Sequence, residues 1–68
     1  MRRVLVTGSS GHLGEALVRT LTDRDVGVVG LDSRPCPWTH VVGSVTDRAV
    51  VGDAIAGVDV VMHAATLP

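Results

Sequence analysis

The sequence predicts an α/β fold, a mostly parallel sheet of about four strands in the order 3-2-1-4 with about two helices. Three observations carry this expectation. Short apolar runs at residues 4–6, 26–31 and 58–63 alternate with segments of helical period. The first run passes at once into a glycine turn, Thr7-Gly8-Ser9-Ser10-Gly11-His12-Leu13-Gly14. The second ends in an acidic residue, Asp32.

Residues 2–6 read as the first strand, apolar throughout as a central parallel strand is. Arg2 and Arg3 are solvated residues at its entry. A strand, a turn and a helix in that order aim the helix's free N–H groups at whatever lies beyond the strand's end, where an anion is stabilised. The glycines are spaced Gly-x-x-Gly-x-x-Gly, not the Gly-x-Gly-x-x-Gly of the ordinary dinucleotide fingerprint. Gly8 is free to take a backbone conformation closed to other residues, and Gly11 lets the main chain approach a phosphate. Gly14 allows the helix to pack closely on the first strand. The hydroxyls of Thr7, Ser9 and Ser10 are available to cap the helix or to bond phosphate.

The first helix is expected over residues 12–23, with Leu13, Leu17, Val18 and Leu21 facing the sheet and Glu15 and Arg19 paired on the outside. His12 stands beside the turn, where a lone histidine side chain reads as a polar surface residue. Residues 26–31 form the second strand, weakened by Gly27 and Gly30 but free of charge. Asp32, 18 residues beyond Gly14, stands where the adenosine ribose lies if a pyrophosphate sits on the first helix. Its carboxylate accepts from both ribose hydroxyls and repels a 2'-phosphate, which favours NAD over NADP. Arg34 pulls the other way: it has the reach to meet a 2'-phosphate, to stack on adenine or to lie in solvent.

Residues 33–38, SRPCPW, form a proline-punctuated link that no helix accommodates. Trp38 is read as a hydrophobic cover, and Cys36 as neither nucleophile nor ligand. The third strand is expected over residues 39–42. Its short return leaves one sheet face without the usual helix. Thr46 or Asp47 caps a second helix over residues 48–56, stopped by Gly57. The fourth strand covers residues 58–63, and the small Ala64 and Ala65 at its end permit close approach of a ring or ribose. His63 reads as a packed or structural residue, and His40 has no identified partner. In this reading both helices lie on one face and leave the other bare.

Composition bounds the functions. The chain has 68 residues, 46% hydrophobic, with a formal charge of -1. Six arginines are dispersed, and Lys, Phe and Tyr are lacking, which argues against a nucleic-acid partner. No apolar run approaches the roughly 18 residues of a membrane span, and the N-terminus does not have a signal-peptide pattern. One cysteine fits a reducing cytoplasm.

TGSSGHLG, Asp32 after VVGL, the GSVTD segment and VMHAA together resemble the N-terminal part of an NAD-dependent epimerase/dehydratase, the extended branch of the short-chain dehydrogenase/reductase family. Thr7, Gly8, Gly11 and Gly14 match its Thr-Gly-x-x-Gly-x-x-Gly phosphate loop, and Asp32 its ribose-binding acidic position. Val45 matches the apolar residue whose neighbouring backbone meets adenine, with Ser44 in place of the usual aspartate. His63, Ala64 and Ala65 match its strand end. The resemblance implies a partial Rossmann fold that binds NAD through Thr7, Gly8, Ser10, Gly11, His12, Leu13, Gly14, Asp32, Arg34, Ser44, Val45, Ala64 and Ala65.

The resemblance also implies a serine or threonine acting with a Tyr-x-x-x-Lys pair, and the sequence has neither Tyr nor Lys. Hydride transfer at an alcohol requires a proton acceptor, which a phosphate loop does not supply. The expectation is therefore a truncated cofactor segment over residues 1–68. It is not expected to catalyse alone, its substrate region lies elsewhere, and a homo-oligomer or completing chain covers the bare face. The alternative is a non-catalytic nucleotide-responsive module completed by a partner.

Overall fold

The computed structural model of the chain describes residues 2–24 and 26–64. In chain order they form strand β1 (Arg3–Thr7), helix α1 (His12–Asp23), strands β2 (Gly27–Asp32) and β3 (Val41–Val42), helix α2 (Arg48–Ile55) and strand β4 (Val60–His63). All pairings are parallel and the sheet order is β3-β2-β1-β4, as the sequence predicts. Parallel strands bring the ends of β1, β2, β3 and β4, at Thr7, Asp32, Val42 and His63, to one edge of the sheet.

The helices do not share a face. Val4 and Val6 point to one side, where they pack with Val18 of α1, while Leu5 points to the other with Leu31 and Ala54 of α2. Handedness explains this correction. Strand β2 lies on one side of β1, whereas the step from β3 to β4 runs back across β2 and β1, so right-handed crossovers place α1 and α2 on opposite faces. The β2–β3 link continues outward in the same sense as the step from β1 to β2, so it falls on the α1 face, where a helix is missing. Trp38 takes that place: it packs on the Val4, Val6 and Val18 cluster, with the Arg19 guanidinium 5.4 Å from its ring centroid.

Gly30 makes this return possible. A Cβ there would stand 2.1 Å from the Trp38 carbonyl oxygen and 2.9 Å from Ser9 Cβ. The residue that weakens the strand's propensity is the one that lets the link cross it.

Element ends differ from the sequence reading by local hydrogen bonding. The first two strands sit one residue later than expected, through Thr7 and Asp32. Strand β3 is only two residues long, because a turn from Cys36 to Thr39 precedes it and the His40 side chain replaces a strand carbonyl. His40 N–H donates to the Gly30 carbonyl at 2.8 Å, and Gly30 N–H donates to His40 Nδ1 at 2.8 Å. Strand β4 begins at Val60, after Val58 N–H closes a turn onto Ile55 and the Asp59 carboxylate accepts Arg3 N–H. Asp47 caps α2 through Ala49 and Val50 N–H, and Gly57 follows its end at φ 76°.

Leu13 is 64% exposed, against the expectation that it faces the sheet. The buried stripe of α1 runs through Gly14 and Val18. Leu13 is one residue, about 100°, away from Gly14 around the helix.

Candidate functional site

The glycine turn lies between the ends of β1 and β2. Gly8 adopts φ 78° and its N–H donates to the Leu31 carbonyl at 2.8 Å, which fastens the turn to β2. A Cβ on Gly14 would stand 1.9 Å from the Gly8 oxygen, so its contact is the turn's own backbone, not the strand. Gly11 is different. Its φ is -83°, and a Cβ would meet only the Gly8 oxygen at 3.4 Å, so the fold does not require glycine there.

Gly11 is the N-cap of α1 and makes no side-chain cap bond. Capping by the hydroxyls, one of the two roles read for them from the sequence, does not occur. Ser9 is fully buried and its hydroxyl bonds to Thr39 Oγ1 at 2.6 Å; Thr7 Oγ1 bonds to His63 Nδ1 at 2.6 Å; Ser10 Oγ donates to the Arg34 carbonyl at 2.6 Å. The intrahelical ladder starts only at Glu15 N–H, which donates to Gly11. The N–H groups of His12, Leu13 and Gly14 are therefore the unpaired donors of the first turn. Beside them Ser10, Gly11, His12 and Glu15 line an open depression of about 130 Å³.

Asp32 closes the other side. Its Oδ2 accepts Ser10 N–H at 2.9 Å and its Oδ1 accepts Arg34 N–H at 2.9 Å. Burial, the strongest single influence on this carboxyl, pushes its pKa up. The N–H groups of Arg34, Ser10 and Ser33 and the Arg34 charge outweigh burial together and hold it below the ordinary aspartate value. A carboxylate has about four lone-pair positions, so these main-chain donors leave acceptor capacity for an incoming hydroxyl. The Arg34 side chain is exposed.

Of the remaining candidates, Ser44 and Val45 follow β3 on the same sheet edge. Ser44 Oγ bonds to Thr46 Oγ1 at 2.7 Å in the turn before α2, and Val45 is half-buried in the α2-side cluster. Ala64 N–H donates to the Thr7 carbonyl at 3.0 Å, extending the β4 ladder. Ala65 lies outside the described residues. The sequence reading missed Thr39, which touches Ser9, Ser10 and Cys36, because it places Thr39 at the start of the third strand, whereas Thr39 closes the turn from Cys36 before that strand. Cys36 Sγ lies 3.2 Å from Thr39 Oγ1 and accepts Trp38 N–H at 3.4 Å.

The model of the NAD dependent epimerase/dehydratase family matches residues 4–68. The chain belongs to this family. A 3-beta-hydroxysteroid dehydrogenase of Mycolicibacterium neoaurum is 42% identical over 71 residues, covering 96% of this chain and 19% of that protein. A short-chain dehydrogenase/reductase superfamily protein of Agrobacterium tumefaciens, solved with bound NAD, superposes with a TM-score of 0.90 at 39% identity, covering 98% of this chain and 21% of the other. MoeE5 in complex with UDP-glucose and NAD gives a TM-score of 0.83 at 35% identity, over 97% of this chain and 23% of that one. The chain thus spans about a fifth of the proteins it matches. Its four-stranded sheet is the corresponding part of the epimerase/dehydratase Rossmann fold, and no described helix is long and apolar enough to cross a membrane.

Proposed function

We propose that this chain is the NAD-binding portion of an epimerase/dehydratase-family oxidoreductase, epimerase or dehydratase that transfers hydride at a carbinol carbon. The observation that carries the reading is the pairing of an uncapped α1 N-terminus at Gly11 with the Asp32 carboxylate across the turn. The first would hold a pyrophosphate on the N–H groups of His12, Leu13 and Gly14, and the second would accept the ribose hydroxyls. The nicotinamide, when bound, supplies the hydride chemistry. The chain's own residues would bind and orient it: Thr7, Gly8 and Ser10 shape the turn, Arg34 would flank the ribose, Ser44, Val45 and Ala64 would border adenine and the nearer ribose, and the family resemblance assigns Ala65 the same role. Asp32 favours NAD over NADP.

The substrate pocket and the acid/base pair belong, in this reading, to protein outside these 68 residues, consistent with the lack of Tyr and Lys. The exposed Val60 and Val61 on β4 support further protein surface there, from a longer chain or a second copy. A cytoplasmic location accords with the single free cysteine, Cys36.

Calorimetric titration with NAD tests the reading, using the protein and its Gly11→Val variant, with circular dichroism to establish that both fold. The side chain is expected to weaken NAD at least tenfold. Equal affinity in a folded variant would remove the phosphate-loop assignment.

A further inference from the structure

Ser10 uses both of its polar groups on the segment that follows β2. Its N–H donates to Asp32 Oδ2 at 2.9 Å, and its hydroxyl donates to the Arg34 carbonyl at 2.6 Å. Arg34 N–H in turn donates to Asp32 Oδ1 at 2.9 Å. The three residues form a closed ring in which each carboxylate oxygen is held by a different main-chain donor and the Arg34 main chain is held from both sides.

The direction of every hydroxyl around this ring follows from one group. A carbonyl only accepts, so the Ser10 proton points at Arg34. The Ser10 oxygen, 2.9 Å from Thr39 Oγ1, must therefore receive the Thr39 proton, and Thr39 Oγ1, 2.6 Å from Ser9 Oγ, must receive the proton of Ser9. The chain of donors begins at a fully buried side chain, Ser9, and ends on the main chain of the arginine beside the proposed ribose site. Ser10 Oγ has thus spent its proton before any phosphate arrives. This separates it from the main-chain donors of the α1 first turn.

We propose that Ser10 is a positioning residue that sets cofactor choice: its hydroxyl pins the Arg34 main chain and so keeps the arginine from closing on a 2'-phosphate, while its main-chain N–H holds the Asp32 carboxylate. The inference rests on the NAD-binding reading above. When the hydroxyl is removed, the Arg34 carbonyl loses its partner, the 33–39 link loosens, and the guanidinium reaches an added phosphate while Ser10 N–H still holds Asp32 Oδ2.

Calorimetric titration of the protein, Ser10→Ala and Thr39→Val with NAD and with NADP distinguishes the possibilities. The ratio of the NADP and NAD dissociation constants is expected to fall about tenfold in Ser10→Ala, the scale of one lost hydrogen bond. It is expected to fall by a smaller factor in Thr39→Val, which removes the donor that orients Ser10. Amide exchange at Arg34 is expected to speed up in both. A pyrophosphate ligand or a merely structural residue would weaken both cofactors together, because the pyrophosphate is common to them. An unchanged ratio in whichever variants fold therefore overturns the proposal and leaves the NAD reading standing. If the unmutated protein binds neither cofactor, both fail.

Discussion

The main-chain N–H of Ser10 donates to Asp32 Oδ2 across 2.9 Å, so the proposed phosphate turn and the proposed ribose acceptor are one hydrogen-bonded unit. The bond is strongest while the carboxyl is ionised. Burial raises the Asp32 pKa, but the N–H groups of Arg34, Ser10 and Ser33 and the Arg34 charge together lower it further than burial raises it. A pKa lower in the folded than in the unfolded state gives stability that is complete above the unfolded value and is lost as pH falls through the folded one. We therefore expect no Asp32-linked change in melting temperature or NAD affinity between about pH 8 and 5, and a loss below about pH 4. Thermal melts and titrations of the protein and Asp32→Asn across this range check it. An inflection between pH 5 and 8 that the asparagine variant abolishes would contradict the assignment.

Two glycines three residues apart are expected to behave oppositely. At Gly14 an added Cβ would lie 1.9 Å from the Gly8 oxygen and 2.5 Å from the Gly8 carbon, both backbone atoms that no rotamer change relieves. Overpacking costs typically 1–3 kcal/mol, and a clash with fixed backbone belongs at the top of that range, so Gly14→Ala should lose about 3 kcal/mol or more. At Gly11 the nearest atom is 3.4 Å away and φ is negative, so Gly11→Ala should lose less than about 1 kcal/mol, the scale of an N-cap change. Urea denaturation of the two variants measures the difference. Equal losses would mean that Gly11 is kept for the fold and not for a ligand.

His40 is expected to matter through one nitrogen. Gly30 is buried, and its N–H has His40 Nδ1 as acceptor at 2.8 Å. Removing the imidazole leaves a buried donor unpaired, at a cost of about 1–3 kcal/mol. His40→Ala should be destabilised by that amount with faster amide exchange at Gly30, and His40→Asn should recover part of it, since the amide oxygen accepts in a similar position. Full stability in the alanine variant would show that water replaces the ring.

The order of strands, the span of α1 and the capping of α2 by Thr46 or Asp47, of which the structure uses Asp47, were legible in the sequence because each depends on local pattern: a glycine turn after a short apolar run, a helical period, a hydroxyl or carboxylate ahead of the helix. The placement of α2 was not. Whether Val50 and Val51 cover Leu5 or Val4 depends on which way the chain crosses the sheet, and no residue in α2 encodes that direction. The same applies to the hydroxyls. Ser9, Ser10 and Thr7 look alike beside a phosphate loop, yet their partners Thr39, Arg34 and His63 lie 30, 24 and 56 residues away. Leu13 was misplaced for a simpler reason, since Gly14, with no side chain to score, marks the buried stripe.

The last expectation concerns the free edge of the sheet. With α1 and α2 on opposite faces, β4 still carries two adjacent uncovered apolar residues, Val60 37% and Val61 45% exposed, and its only strand neighbour among the described residues is β1. The outward main-chain groups of such a strand pair readily with another chain. Each hundred Å² of apolar surface left in water forgoes about 2.5 kcal/mol, a substantial part of the roughly 5–15 kcal/mol that holds an ordinary domain together. The 68-residue chain should therefore self-associate as its concentration rises, exchange its β4 amides faster than those of β1 and β2, and become more monomeric on Val61→Lys. Size-exclusion chromatography across a concentration series with hydrogen exchange reads all three. A cooperatively folded monomer whose β4 amides match those of β1 would contradict this. The chain should also reduce no NAD in the presence of alcohols or sugar nucleotides, because it has neither Tyr nor Lys to take the proton. Reproducible turnover by the purified chain would place that proton acceptor on one of its own histidines or carboxylates.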